Sequence, residues 1–443
     1  MPLLCASTQQ NSRDLTDLTG LRSLLTEAVE LMSDDPKSAL SEGRWVKLIC
    51  GASYQDLPRV KALCFAYTLA GVDCIDMSAS QAVVTAAEEG VGAAMLLAEQ
   101  VLGKALPRRP WLMVSINDQQ DLHFRKAAFD ATRCPHDCPR PCESICPTQA
   151  IPPLDKVETP LPSARGRREG VASPERCYGC GRCVSVCPLG LIEAVPYQVE
   201  AADVLTSLAG RIDALEIHTN ASASSVGCDP FEDLCRRIRP QASGLRAVSV
   251  SFPFMGTAGT AAFLKSRNAV FGRCFGRDDE RPFTGVLAGV GDSPPPRPLH
   301  IWQTDGRPMS GDIGRGTTLS AVKFAQVVLR SQALPWASSM VSEDEHFLQL
   351  AGGTNAYTAE KLADEGLLSP ASVVRGQSDA TQEKDRSAWV HGLAFGGFAR
   401  MEVDRIMSQW GLGPEASLIE APPDALLAVL RAAFGVVRPI KKR

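Results

Sequence analysis

Eight cysteines between residues 134 and 187 are spaced as metal ligands. They form two groups, CPHDCPRPCESICP and CYGCGRCVSVCP, each closing on Cys-Pro. Cys177, Cys180, Cys183 and Cys187 follow the C-x2-C-x2-C-x3-C-P run of bacterial ferredoxins, in which three thiolates grip one cubane and the fourth reaches the neighbouring cluster. Cys134, Cys138, Cys142 and Cys146 carry one extra residue in each of the first two gaps, with Pro135, Pro139 and Pro141 in the loop. Structural zinc takes its cysteines in separated pairs. Four soft thiolates packed into roughly a dozen residues suit iron–sulfur instead. Two [4Fe–4S] clusters are therefore expected. The ferredoxin pattern assigns Cys177, Cys180 and Cys183 with Cys146 to one, and Cys134, Cys138 and Cys142 with Cys187 to the other. The wider spacing leaves open a second reading, in which the first group only staples its loop. The chemistry implied is one-electron transfer or redox sensing.

A scaffold must hold these cysteines, and the flanking sequence shows its form. Short apolar, β-branched runs recur at 45–53, 72–78, 110–118, 214–220, 247–253, 299–306, 346–354 and 390–398, and helical patterns lie between them. Continuous hydrophobicity fits strands buried on both faces, and strand–helix alternation repeated eight times predicts an α/β fold, a (β/α)8 TIM-like barrel. An open doubly wound sheet is the alternative. The runs turn polar at Ser53, Asp76, Asn117, His218, Asn220, Ser251, Asp305 and Thr354, at the edge where barrels gather ligands. The expected partition is an N-terminal helical segment (1–44), a first stretch of barrel (45–118), an inserted ferredoxin-like domain (119–196), the remainder of the barrel (197–403) and a C-terminal helical segment (404–443).

Other constellations are weaker. Gly352, Gly353 and Thr354 after the seventh run and Gly396 and Gly397 after the eighth sit where barrels grip phosphate, so FMN or another phosphate ligand is one reading and a tight structural turn the other. Residues 304–318 crowd Asp305, Arg307, Asp312 and Arg315 into a glycine-rich loop. His218 is the histidine placed like a catalytic group, although a satisfied core histidine is the simpler reading. Arg165, Arg167 and Arg168 between the cysteine groups either steer an acidic electron donor or form a solvated loop. Residues 291–298 read as a stiff Pro-rich approach and 370–388 as a polar loop. No catalytic residue is assigned.

Composition sets outer bounds. At 443 residues the chain exceeds the roughly 250–300 residues at which one core stops growing, unless it forms a large barrel with additions. A net charge of −4 argues against a general nucleic-acid binder. No apolar run spans a bilayer, and the first residues carry no export signal. A cytoplasmic location is expected, with peripheral contact to a membrane as a further possibility. Fifteen cysteines then point to a reducing compartment. Cys5, Cys50, Cys64, Cys74, Cys228, Cys235 and Cys274 lie outside the motifs and read mostly as small buried hydrophobes, with Cys228 and Cys235 the expected exposed thiols. Lys441, Lys442 and Arg443 read as a solvated tail.

The segments RCPHDCPRPCESICPTQAI and ERCYGCGRCVSVCPLGLI, flanked by WVKLICGASYQDLP, GVDCIDMSAS, IWQTDGRPMSGDIGRGTT and LQLAGGTNAYT, resemble the cyanobacterial light-dependent period (LdpA) family from about Trp45 to Phe398. The resemblance implies a redox-sensing iron–sulfur protein of circadian input, with the eight cysteines as cluster ligands. It also implies a redox carrier or quinone-linked electron donor, and the clock input proteins KaiA and CikA as partners. Two rivals remain: a flavin barrel enzyme fed by ferredoxin clusters, and an electron-transfer subunit docked on a thylakoid complex.

Overall fold

The computed structural model describes residues 12–119, 124–130, 133–135, 137–146, 148–151, 170–171, 176–177, 179–196, 200–219, 229–242, 244–275, 297–306, 315–331, 333–334, 346–369, 389–413 and 416–442. Its strands in chain order are β1 (Trp45–Gly51), β2 (Cys74–Ser78), β3 (Trp111–Asn117), β4 (Arg125–Phe129), β5 (Gly170–Val171), β6 (Glu193–Pro196), β7 (Ala214–His218), β8 (Ala247–Pro253), β9 (Leu299–Asp305), β10 (His346–Ala351) and β11 (Gly392–Phe395). Eight of them close a barrel in the order β1-β11-β10-β9-β8-β7-β3-β2. Every barrel pairing is parallel. All eight expected runs are strands of this barrel, and the open-sheet alternative is excluded.

Parallel strands need helices to return the chain, and local chemistry starts and stops them. Asp56 accepts from the Arg59 amide at the head of helix Leu57–Leu69, a capping bond that satisfies one of the first four N–H groups. Helix Gln81–Leu102 ends at Gly103 in the left-handed conformation (φ 74°), which costs glycine little.

Alternation along the strands sends every second side chain inward. The floor of the barrel is filled by Trp45, Trp111, Ile301 and Phe347, closed from below by Ala39 and Leu40 of the short helix Pro36–Ser41. Trp45 and Trp111 meet edge-to-face, with centroids 5.5 Å apart. Gly392 beside them has no room for a side chain, since a Cβ there would lie 2.4 Å from Trp45 Cδ1.

On the outer wall of the barrel the last helix, Pro423–Lys441, packs against β1 and the first helix, Ser12–Leu31. Here one expectation fails. Lys441 is buried rather than solvated, its ammonium paired with Asp73, which also holds Arg108. Burial pushes its pKa down to about 8 against the opposing pull of Asp73. A cationic tail at the end of a chain reads as solvated only until its helix docks. Lys442 is exposed, and Arg443 lies outside the described residues. Cys235 is a second correction: it lies fully buried on the inner face of helix Pro230–Ile238, beside Leu234 and Ile238. Cys50, Cys64, Cys74 and Cys274 are buried as expected, and Cys5 and Cys228 fall outside the described residues.

His300 on β9 yields a pH prediction. Its ring stacks on Phe271 at 3.6 Å between centroids, and among the described residues neither nitrogen has a hydrogen-bond partner. Burial, and then His346, hold its pKa well below the ordinary histidine value. The unfolded chain therefore takes up this proton first, so the stability contribution is intact above about pH 6.5 and is lost as pH falls below it. Between pH 7.5 and 5.5 urea unfolding should show a loss of about 1.4 kcal/mol from this group. His300→Phe, which keeps the stack, should remove that share of the slope.

Candidate iron–sulfur site

Strand β4 pairs antiparallel with both β5 and β6 in a three-stranded sheet, with Lys126 opposite Val195 and Ala127 opposite Ala194. Against it lie two five-residue helices, Pro141–Ile145 and Arg182–Val186, packed on each other. The two cysteine loops repeat one backbone path despite their different spacing. Arg140 (φ 50°) and Gly181 (φ 76°) are both left-handed immediately before their helices. Gln149 (φ 50°) and Gly190 (φ 59°) are both left-handed three residues after the last cysteine. One residue further on, the Ala150 amide donates to Cys146 Sγ at 3.2 Å and the Leu191 amide to Cys187 Sγ at 3.4 Å. The first loop thus makes the same turns without glycine, at a cost of about 1–2 kcal/mol per residue.

These turns bring cysteines from different groups together. Cys146 from the first group and Cys177, Cys180 and Cys183 from the second line one cavity, with Ala150 and Val184 on its apolar wall. The Ala127 amide donates to Cys177 Sγ at 3.3 Å. Burial, joined by Cys180, Cys177 and Cys146, pushes the Cys183 thiol up to about 12. The second set is Cys142 with Cys134 and Cys187. Burial raises the Cys142 thiol, Arg140 opposes, and Cys134 and Cys187 add to the rise. Cys138 is half-buried on the same loop. At Cys187 the slight burial is outweighed by the backbone amides of Leu191, Leu189, Ile192 and Gly190, which hold the thiol below its ordinary value.

The donor chemistry fits an iron–sulfur group. Cys146, Cys177, Cys180 and Cys183 surround a cavity rather than a point, and among the described residues no three His, Cys, Asp or Glu side chains converge on a single metal-ion position. Crowded buried thiols favour their protonated form, and only a strongly cationic centre makes four thiolates stable together. Amide N–H groups aimed at sulfur spread the charge that remains.

A model of the LdpA Fe-S cluster-binding domain matches residues 134–198, and one of the Light dependent period A C-terminal domain matches residues 207–439. The chain belongs to the light dependent period A family. A Synechococcus elongatus protein named Light dependent period A is 40% identical over 408 residues, which cover 92% of this chain and 94% of that one. Membership makes the cofactor of this site an iron–sulfur cluster.

Lys126 joins the site to the barrel. Its buried ammonium donates to the Ser53 carbonyl, just past β1, and at 2.7 Å to the Cys177 carbonyl, and it lines the cavity of Cys146, Cys177, Cys180 and Cys183. Gly179 packs on the same strand: a Cβ there would lie 2.4 Å from the Arg125 carbonyl oxygen. Arg176 reaches Asp56 at 3.6 Å. Lys126→Met removes a positive charge beside the cluster. The reduction potential should fall, on the order of 59 mV or one tenfold change in the oxidised-to-reduced ratio, in a potentiometric titration of cluster absorbance. An unchanged potential would leave Lys126 a strut only.

The barrel mouth is packed differently from a bare phosphate cradle. Gly352 and Gly353 are left-handed (φ 68° and 96°). A Cβ on Gly353 would meet Thr317 Cβ at 2.9 Å, and Thr317 Oγ1 donates to the Gly353 carbonyl at 2.8 Å. Thr354 Oγ1 donates to Ala394 on β11 at 2.5 Å, tying the two glycine loops side by side. Gly396 and Gly397 open helix Gly397–Gln409. His218 is buried and meets Phe124 edge-to-face at 5.3 Å. Asp305 ends β9 and Arg315 starts helix Arg315–Arg330. Asn220, Arg307 and Asp312, the arginines at 165–168, most of 291–298 and all of 370–388 lie outside the described residues.

Lys47 and Glu216 escaped the sequence reading, which took Asp76 only as a polar strand end. Lys47 on β1 stands fully buried in the lumen, its ammonium 3.0 Å from Glu216 on β7 and 3.3 Å from Asp76 on β2. Ser115 donates to Asp76 at 2.7 Å. Gln349 bridges Trp45 Nε1 and Gln303 in the same layer. Burial works against the ammonium, but Glu216 and Asp76 outweigh it and raise the Lys47 pKa. The signal was present as single polar residues at alternate positions of apolar strands, Lys47 in WVKLI and Glu216 in ALEIH.

Proposed function

We propose that the chain carries two [4Fe–4S] clusters and serves as a redox sensor or electron relay that links photosynthetic redox state to the circadian clock. The observation that carries the reading is the pair of matching cysteine loops, in which Cys146 sits with Cys177, Cys180 and Cys183 and Cys187 neighbours Cys142. That arrangement supports the exchange of fourth ligands found in two-cluster ferredoxins. The name of the Synechococcus elongatus relative supports the link to light and period.

Bound, the clusters supply reversible one-electron chemistry. The chain's role is to hold the thiolates, to aim the amides of Ala127, Ala150 and Leu191 at sulfur, and to transmit the charge change through Lys126 to the barrel. For a one-electron couple ~59 mV changes the two charge states tenfold in ratio. A site poised near the potential of a quinone-linked carrier therefore converts light intensity into a population. Partners that distinguish the two states, with KaiA and CikA as candidates, would read it out. Among the described residues no helix is long and apolar enough to cross a membrane; a cytoplasmic protein with peripheral thylakoid contact fits the proposal. The test is partner affinity with the clusters poised oxidised and then reduced under argon. Equal affinities would remove the sensor.

The second reading is a flavin-dependent iron–sulfur oxidoreductase, with FMN or another phosphate ligand at Gly352, Gly353, Thr354, Gly396 and Gly397. It is favoured by the start of a 13-residue helix directly after β11, where backbone N–H groups attract phosphate. Quantifying iron, sulfide and flavin together after anaerobic purification separates the two readings.

A further inference from the structure

Two helices on the outer wall of the barrel carry a pair of thiols that the cluster chemistry does not use. Helix Pro230–Ile238 follows β7 and helix Gly256–Phe275 follows β8, its neighbour in the barrel, so the two pack side by side and run the same way. Side-chain contacts fix their register. Arg267 pairs with Asp229 and lies 5.0 Å over the Phe231 ring, and Arg273 reaches Glu232 at 3.0 Å. One turn beyond Glu232 stands Cys235, and two turns beyond Arg267 stands Cys274, positions that return to the same two facing surfaces. The two thiols meet there, and contact between them is the largest influence on the ionisation of each.

The pair is not symmetric. Cys235 is wholly buried and Cys274 is 4% exposed. Contact with Cys274, and then burial, pushes the Cys235 thiol up. Contact with Cys235 holds the Cys274 thiol below its ordinary value, against burial and Glu232, and Arg236 and Arg273 add to the lowering. Thiolate character selects the attacking sulfur in disulfide exchange. Cys274 also sits in the last turn of its helix, where local opening costs least. Arg236 and Arg273, with side chains 60% and 56% exposed, draw an anionic oxidant to that end.

We propose that Cys235 and Cys274 form a reversible dithiol–disulfide couple, oxidised by a low-molecular-weight disulfide of the glutathione class. The Cys274 thiolate attacks one sulfur of glutathione disulfide, breaking its S–S bond; one glutathione leaves and takes the proton that Cys274 gave up. When the helix end closes again, Cys235 releases its proton and attacks the Cys274 sulfur of the mixed disulfide, expelling the second glutathione. Two cysteines are oxidised by two electrons, and one glutathione disulfide becomes two glutathiones. The couple lies apart from the eight cluster cysteines and goes beyond the iron–sulfur reading. It answers to a two-electron thiol pool, whereas the clusters exchange single electrons.

The test holds the cluster-loaded full chain under argon at graded ratios of glutathione disulfide to glutathione, followed by alkylation with iodoacetamide and peptide mass mapping without reductant. A single bridge between Cys235 and Cys274 should accumulate as the disulfide share rises and vanish with dithiothreitol. Cys235→Ser should lose the bridge and retain one glutathione on Cys274. Cys274→Ser should lose both the bridge and the adduct, leaving Cys235 as a free thiol. Cys235→Ala makes the same test if Cys235→Ser does not fold. Absence of the bridge at the highest disulfide share overturns the proposal, as does glutathione that stays on Cys274 of the unmodified chain. A bridge from Cys274 to Cys228 instead of Cys235 also overturns it. Cluster absorbance, followed in the same samples, keeps failure here separate from failure of the iron–sulfur reading.

Discussion

The double variant Cys146→Ala/Cys183→Ala is expected to lose no more iron than either single variant, whereas Cys146→Ala/Cys142→Ala loses all of it. The two cysteine groups each contain four thiols, so the rival to the crossed assignment that the ferredoxin spacing predicts is one cluster per group. The fold argues otherwise, because Cys146 lines the cavity of Cys177, Cys180 and Cys183, and Cys187 neighbours Cys142. If ligands cross, Cys146 and Cys183 serve the same cluster, and removing the second changes little once the first is gone. Residues that act as one unit are non-additive in this way. Iron per chain should then fall from about eight to about four in each single variant and in Cys146→Ala/Cys183→Ala, and to near zero in Cys146→Ala/Cys142→Ala. Ligation within groups predicts the reverse pattern for the two doubles. Iron and sulfide analysis on anaerobically purified protein, read against protein concentration, decides between them.

The second large effect concerns the barrel core. Lys47→Met should destabilise the barrel by about 3–5 kcal/mol, because it leaves Asp76 and Glu216 buried without their counter-charge. The sign of its pH dependence is fixed by the same geometry. Burial raises the Asp76 pKa first, Lys47 opposes that rise and Glu216 adds to it. Without Lys47 the folded-state value rises further above the unfolded one. The variant's deficit should therefore be largest above the folded pKa, at alkaline pH, and shrink as pH falls and the carboxyl takes up its proton. Lys47→Met/Asp76→Asn/Glu216→Gln, which removes the charges together, should recover most of the loss, since neutral replacements of a buried ion network are often well tolerated. Urea unfolding at pH 6 and 8.5 for the three proteins measures each contribution. A Lys47→Met deficit independent of pH would remove the ion network as its cause.

The barrel was legible because parallel strands buried on both faces must be short, apolar and separated by helices. All eight runs had that form, and each closes onto its neighbours in register. The polar layer inside it was not legible from the same property, since one lysine or glutamate does not disturb the hydrophobicity of a run. Only closure of the barrel brings Lys47, Asp76 and Glu216, from three strands, within reach of one another. Lys441 and Cys235 failed for a related reason: their burial is set by what the final helix and helix Pro230–Ile238 pack against, and neither neighbour is adjacent in the chain. The glycines at the mouth were visible as a motif, but their packing on Thr317 required the fold.

The kind of metal chemistry is written in the chain alone, because four soft thiolates at ferredoxin spacing are a local property of one loop. So is the alternation that makes a barrel. It took the folded molecule to show that the irregular first loop follows the same path as the second, with Arg140 and Gln149 taking left-handed turns that glycine takes in the other. The fold places Cys146 in the cavity of Cys177, Cys180 and Cys183, the grouping the ferredoxin spacing predicts, and adds that Lys126 ties that cavity to the end of β1. The path of the first loop and the Lys126 tie are set by backbone turns and long-range packing, and neither is carried by the spacing of residues along a chain.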